Sequence, residues 1–534
     1  MTSSTPDQIS SPSSRAMSLF EIADLVASFS TRHVCVRLAQ TSGVLCTASV
    51  PYIWAYVEDA RNLFRLLPTM IEDDSDHGFS WTKIYLENLQ DGHFGIFSAY
   101  APHVKILDVY GRSREYYEVS YWRYLIERAR ERPLLPNLRA LIIASDKRLV
   151  EREIASDQAA WAGAFASPSL LEFTVAFCEE GYASGISYAA ASFILEILAQ
   201  RSPKLQTLGL LVDNDKGDEE ENGESAFLVF FTTRKFESYL SIFADLRHVS
   251  GTAAWFHDQP FQKLGELPHL ETLTVYRSFD VDYGKIDSWR NRKNLFPALH
   301  SLTLSNLYKR DAKFVLSRGA ALFKNLTFLH LSLYQEFRYD NSLDGEQLIL
   351  LLPSLREAVH LRRLELAVDS QTKNYMFDKS GMDVFSKLPL LELSLKPFYL
   401  SENAINMDLG AVWALLTRLE MPTHRASLAD LSRFATIPCL NYLELCLDLQ
   451  LNNTQQTNTI HQTELTRLVA SPGSTITSDP DEIQLVVHFL ASAWPNLSSV
   501  TWSQLDKPEA EQTQYRVYAD NLNYCISELH SAGA

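Results

Sequence analysis

The apolar residues of this chain fall into one short phrase that returns again and again. In residues 296–307, FPALHSLTLSNL, Leu299, Leu302 and Leu304 are spaced L-x-x-L-x-L. In an extended segment the last two leucines lie on one side and Thr303 on the other. Pro297 fixes its own φ and ends whatever precedes it, so the unit reads as helix or loop, then proline, then a very short strand.

Close copies are Leu270-Glu-Thr-Leu273-Thr-Val275, Leu361-Arg-Arg-Leu364-Glu-Leu366, Leu416-Thr-Arg-Leu419-Glu-Met421 and Leu440-Asn-Tyr-Leu443-Glu-Leu445. Looser copies begin at Val104, Leu138, Leu170, Leu205, Leu246, Leu326, Leu390 and Leu497, with a first one at Trp81-Thr-Lys-Ile84-Tyr-Leu86. This makes about fourteen copies, spaced by roughly 23 to 41 residues apart from one longer final gap, the range of repeat architectures. One such unit cannot bury its apolar side alone. Stacked units can, so the pattern predicts a parallel strand ladder with helices or loops outside it, an α/β solenoid. Residues 117–130 and 190–200 carry helical apolar spacing and are expected as outer helices, and 512–529 as a C-terminal cap.

Ahead of the repeats the period changes. Residues 1–16 are mostly Ser, Thr, Pro and Gln, too polar to offset the entropy of ordering, and read as a disordered tail. Leu19, Ile22, Leu25, Val26 and Phe29 then recur at i, i+3, i+4 and i+7, which predicts an amphipathic helix. Leu38 and Leu45 are expected on a second helix. Ile53, Trp54, Val57, Phe64 and Leu67 are expected on a third that runs to Pro68. The organisation predicted is a tail at 1–16, a three-helix module at 17–70 and a solenoid at 71–534. An acidic linker at 71–77 opens the solenoid, an acidic insertion at 213–225 and a polar one at 452–481 interrupt it, and within the latter 463–469 reads as a helical turn or two.

The L-x-x-L-x-L phrase resembles the leucine-rich-repeat family in its long form, which alternates strand and helix. The family's Asn or Cys after the phrase is sporadic here; Asn306 fits loosely, so most turns must be satisfied otherwise. The N-terminal residues carry a second resemblance. Leu19-Phe-Glu-Ile22-Ala-Asp-Leu25-Val-Ala-Ser-Phe29, then Leu38-Ala-Gln-Thr-Ser and Val50-Pro-Tyr-Ile-Trp54, resemble an F-box of the fungal, basidiomycete type. Phe20 stands at the family's proline and His33-Val34 at its common Asp-Leu. The resemblance implies that Leu19, Ile22, Leu25, Val26, Phe29, Leu38 and Trp54 bind the Skp adaptor, through it a cullin, and that the solenoid captures a protein substrate for ubiquitin transfer. The alternative is a leucine-rich scaffold in which the same helices only cap the array. Exposure of Ile22, Val26 and Phe29, or their burial near Trp81 and Ile84, separates the two.

Composition narrows the classes. The chain has 534 residues, 46% of them hydrophobic, which excludes a wholly disordered protein. A net charge of −17 with no basic run argues against nucleic-acid binding. No run of about 18 apolar residues occurs, so no membrane span is expected. The cysteines lack C-x-x-C and disulfide-module spacing, and the N-terminus lacks an apolar signal segment, which fits a cytoplasmic or nuclear protein. There is no G-x-S-x-G, H-E-x-x-H or P-loop, and the 14 histidines are scattered singly. No catalysis, metal or cofactor is expected. The run at 213–225 invites calcium, but its Gly217 is fifth from Asp213 where an EF-hand loop needs glycine sixth.

What remains is a surface. The residue between the last two leucines of each copy points away from the core, and stacking sets these residues in a column on the concave side: Asp108, Ile142, Thr174, Gly209, Thr274, Thr303, His330, Glu365, Ser394, Glu420, Glu444 and Thr501. Thr303, His330, Glu365, Glu420 and Glu444 are the candidate substrate contacts. Arg362, Arg363 and Arg418 precede the acidic members and are placed to pair with them.

Overall fold

A computed structural model describes residues 19–73, 82–87, 89–111, 117–145, 154–177, 186, 188–212, 239–256, 258–276, 295–307, 309–318, 320–334, 352–369, 375–450, 464–503 and 509–533. The predicted tail at 1–16 and the acidic insertion at 213–225 lie outside them. The chain divides into two compact units, Met1–His269 with Ser278–Asp282, and Leu270–Arg277 with Tyr283–Ala534.

The first unit opens with helices α1 (Phe20–Ser28), α2 (Arg32–Ala39) and α3 (Gly43–Trp54). Thr31 and Ser42 accept hydrogen bonds from Val34 N–H and Leu45 N–H, capping α2 and α3. The third helix is therefore earlier than its apolar stripe suggested: Leu45 lies on α3, and the stretch expected to be helical to Pro68 holds a strand and the short helix Arg61–Phe64. A parallel ladder follows in chain order, β1 (Tyr56–Val57), β2 (Ile106–Asp108), β3 (Ala140–Ser145), β4 (Glu172–Phe177), β5 (Thr207–Leu210) and β6 (His248–Thr252). The ladder thus begins inside the predicted 17–70 module.

The proposed first copy at Trp81 is not in the ladder. Thr82–Leu86 pairs antiparallel with Met70–Asp73, which runs into the expected acidic linker, and parallel with Tyr117–Ser120 in a separate small sheet. Residues 117–130, expected as one helix, divide into that strand and the helix Trp122–Glu131. That helix and Tyr188–Arg201, both expected from their spacing, and Ile154–Phe165, which was not, alternate with the ladder strands.

The second unit continues the same pattern with β7 (Thr272–Tyr276), β8 (Ser301–Leu307), β9 (Phe328–Tyr334), β10 (Arg363–Asp369), β11 (Glu392–Lys396), β12 (Arg418–Ser427), β13 (Tyr442–Leu449), β14 (Arg467–Ala470) and β15 (Val500–Trp502), all parallel. Strand β14 corrects the reading of 463–469 as helix and of 452–481 as one insertion. Leu465-Thr-Arg-Leu468-Val-Ala470 is a further copy whose last apolar position is alanine.

Each leucine of the phrase is buried; Leu299, Leu302 and Leu304 are fully so, as are Leu361, Leu364, Leu440, Leu443 and Leu445. Backbone hydrogen bonds fix the stacking. In most copies the carbonyl of the first x accepts two N–H groups from the next: Thr327 and Phe328 both reach His300 O, at 2.9 and 3.0 Å. Arg362 and Arg363 both reach Thr327 O, at 2.9 and 3.0 Å. The sporadic family asparagine is replaced by ties to the proline carbonyls of the turns. Asn137 Nδ2 donates to Pro102 O at 2.7 Å, Ser169 Oγ to Pro136 O at 2.7 Å, and Asn325 Nδ2 to Pro297 O at 3.1 Å. Asn306 itself has φ of 54° at a bulge in β8 and accepts from Ser332 Oγ at 3.1 Å. Asparagine tolerates that left-handed backbone better than most residues.

The predicted C-terminal cap is the helix Glu509–Gly533. Its Asn523 side chain accepts from Val500 N–H at 2.8 Å and donates to Val500 O at 3.0 Å, satisfying the backbone of β15. The architecture is that of a leucine-rich-repeat solenoid, a parallel strand ladder with helices.

Candidate functional site

Two surfaces carry the residues singled out by the sequence, one in each unit. In the first unit, α1 is turned opposite to what its large side chains would suggest. Ala23 and Ala27, one turn apart, are fully buried, with Ala23 against Leu45 and Ala48 of α3 and the half-buried Leu38 and Val44. Small residues let the helices approach closely, and the large ones are left outside. Leu19, Phe20 and Ile22 are exposed, and Leu25 and Phe29 are 58% and 86% exposed. Val26 and Leu38 are half-buried. Trp54 does not join this face: its ring packs at a tilt against Tyr100 with centroids 4.8 Å apart, tying α3 to the start of the ladder. Tyr52 donates to Asp24 at 3.1 Å, holding α3 to α1. Of the seven residues assigned to adaptor binding, Leu19, Ile22, Leu25 and Phe29 form an open face and Trp54 serves packing.

In the second unit, strand register puts Thr274, Thr303, His330, Glu365, Ser394, Glu420 and Glu444 in adjacent positions on the side away from the buried leucines. Val469 and Thr501 extend the column through β14 and β15. The first unit carries the matching column Asp108, Ile142, Thr174, Gly209 and Ser250.

The acidic end of the second column is not a free anionic surface. A second column, two residues earlier on the same side, runs Phe328, Arg363, Glu392, Arg418, Tyr442 and Arg467. Arg363 donates to Glu365 at 2.8 and 2.5 Å and also approaches Glu392 at 3.3 Å. His330 Nδ1 lies 2.9 Å from the other oxygen of Glu365. Arg418 donates to Glu420 at 2.8 Å, Ser394 does so at 2.9 Å, and Lys396 is 3.4 Å away. Tyr442 donates to Glu444 at 3.0 Å, and the Arg418 guanidinium lies 3.8 Å from the Tyr442 ring centroid. Arg362, expected to pair with this column, instead donates to Pro389 O at 3.1 Å.

These partners set the titration. Hydrogen bonding from His330 draws the Glu365 carboxyl down to about 2 against the opposing effect of burial, with Arg363 acting the same way as His330. Burial raises Glu420, but Arg418, Ser394 and Lys396 outweigh it and leave its pKa lowered. Burial, then the Glu444 charge, pushes Tyr442 up to about 12. A general acid or base works best with a pKa near the operating pH. These three groups are moved away from it, so the face is built to hold fixed charges and hydrogen bonds. Among the described residues no group of three or more His, Cys, Asp or Glu is placed to hold a metal ion. No described helix is long and apolar enough to cross a membrane.

Sequence reasoning found the central column and missed Lys396, Tyr442, Arg467 and Glu392. The period of two would have found them, since residues two apart in a strand share a side.

No protein-family model matches the chain, and no curated protein does. Solved structures similar to it include an internalin, inlF, from Listeria monocytogenes, at 12% identity over 72% of this chain and 90% of that one, with a TM-score of 0.35. A TLR13–ssRNA13 complex matches at 13% identity over 76% of this chain and 52% of the other, with a TM-score of 0.39. A mouse RP105/MD-1 complex matches at 12% identity over 76% and 68%, with a TM-score of 0.33.

Proposed function

We propose that this protein is the substrate-recognition subunit of a Skp-cullin-F-box type ubiquitin ligase, docking the Skp adaptor through α1 and holding a protein substrate on its strand ladder. The observation that carries the reading is the orientation of α1. A terminal cap on a repeat array needs a polar outer face for solubility. Here Leu19, Phe20, Ile22, Leu25 and Phe29 are exposed while the alanines are inside. Contiguous apolar side chains left in water favour a protein partner. The F-box resemblance of residues 19–54 supplies the partner's identity, and the ladder, with its paired charges and aromatic rings, supplies a surface for a second protein. In this reading the chain carries no chemistry of its own; the transfer is performed by other subunits.

The test is co-elution of the purified protein with the Skp adaptor, beside a variant carrying Leu25→Asp and Phe29→Asp. Both side chains are more than half exposed, so the variant should fold with an unchanged melting temperature. Binding by the wild type and its loss in the variant is the expected result. If the wild type does not bind, the ligase reading fails and the protein is a binding scaffold whose helices serve another partner.

A further inference from the structure

We propose that a cleft in the first unit binds a segment of a partner protein that carries an acidic side chain next to a bulky apolar one. The cleft has a volume of about 260 Å³ and is lined by Phe94, Phe97, Pro102 and Leu134 together with Arg128 and Arg132. It is smaller than the ~300–1,000 Å³ usual for small-molecule sites, and suits side chains better than a cofactor.

The charge is what makes it specific. Arg128 lies in the last turn of the helix Trp122–Glu131 and Arg132, with extended backbone, caps its C-terminus; the residues lining the cleft contribute these two positive charges and no negative one. The Arg132 charge acts on Arg128 and disfavours its charged form. The Arg128 side chain is only 8% exposed, and its guanidinium stands 4.2 Å from the Phe94 ring centroid. Burial and the Arg132 charge both lower its pKa, with Glu131 on the same helix opposing them. Its ion-pair partner is Asp91, whose own side chain is 83% exposed. Arg128 is thus already paired, from the solvent side, by a carboxylate of this chain. Arg132 makes no ion pair among the described residues and is exposed. A carboxylate on Arg132 would pair the charge that Asp91 leaves uncompensated, while the neighbouring apolar side chain displaces water from the Phe and Pro walls. Neither group alone uses both the charge and the walls.

Titration calorimetry on the full chain tests this with end-capped hexapeptides that differ at two central positions: Glu-Phe, Gln-Phe and Glu-Ala. The Glu-Phe peptide should bind, more weakly as salt rises, with the Gln-Phe and Glu-Ala peptides each at least about tenfold weaker. Arg132→Gln should weaken the Glu-Phe peptide by about tenfold, and Ser98→Trp, which fills the cleft from its lining, should abolish binding. No binding of the Glu-Phe peptide, equal binding of the Gln-Phe peptide, or indifference to both variants would overturn the proposal. So would phenylpropionate binding as tightly as the peptide, which would make the site one for small carboxylates. The site is separate from α1, so its failure leaves the adaptor reading standing.

Discussion

Glu365 holds both His330 and Arg363 on the second unit's strand face, and replacing it with Gln isolates the worth of its charge. Gln keeps the size and one acceptor oxygen, but neither His330 nor Arg363 then faces a carboxylate. The fall from an ordinary 4.5 to about 2 corresponds to a ceiling of about 3 kcal/mol of folding free energy. The side chain is 25% exposed, and Arg363 is 52% exposed, so solvent screening reduces the expected loss to about 1 to 2 kcal/mol. The sign follows from the lowered folded-state value. The contribution is complete above about pH 4.5, where the unfolded chain is also ionised, and disappears as pH falls towards 2. Urea unfolding should be followed by the fluorescence of the buried Trp413 and Trp494, in wild type and Glu365→Gln at pH 7, 5, 4 and 3. The gap between the two proteins should hold from pH 7 to 5 and narrow below that. A gap that is absent at pH 7, or equally large at pH 3, would refute the assignment of the stabilisation to the carboxylate charge.

Two further measurements bear on the fold. His424 is buried, its Nδ1 accepts from Leu400 N–H at 3.3 Å, and its Nε2 has no hydrogen-bond partner among the described residues. Burial draws it down to about 4 against the pull of Asp430, so the neutral form is the folded one. Stability should fall between pH 6.5 and 4 by up to about 3 kcal/mol, and His424→Gln should flatten that slope in a series of melts. Gly251 leaves no room for a side chain: a methyl there would collide with the Trp255 indole and the Leu210 carbonyl. Gly251→Ala should therefore lower stability by at least about 2 kcal/mol in calorimetry; an unchanged melting temperature would mean that Trp255 can move aside.

Much of this molecule was legible in its leucines. Every copy from Val104 onward became a ladder strand, because a residue whose neighbours two away are also apolar can satisfy burial on one side only as a strand in a stack. The column from Thr274 to Glu444 followed from the same period. The copy at Leu465 was hidden by alanine at its third apolar position, and Trp81-Thr-Lys-Ile84 looked like a copy because strands outside the ladder share the period.

The first helix shows the limit most plainly. Its sequence fixes which residues lie on a common face, but Leu19, Ile22, Leu25 and Phe29 on one side and Ala23 and Ala27 on the other are both consistent with an inward face. Close approach of α3 selects the alanines, and only the packed structure decides that. In the same way the sequence determined that Glu365, Glu420 and Glu444 share one side of the ladder. Part of what holds their charge is local, since Arg363, Arg418 and Tyr442 stand two residues before them on the same strand; the rest was decided by tertiary structure, because His330, Ser394 and Lys396 come within reach only when strand stacks on strand.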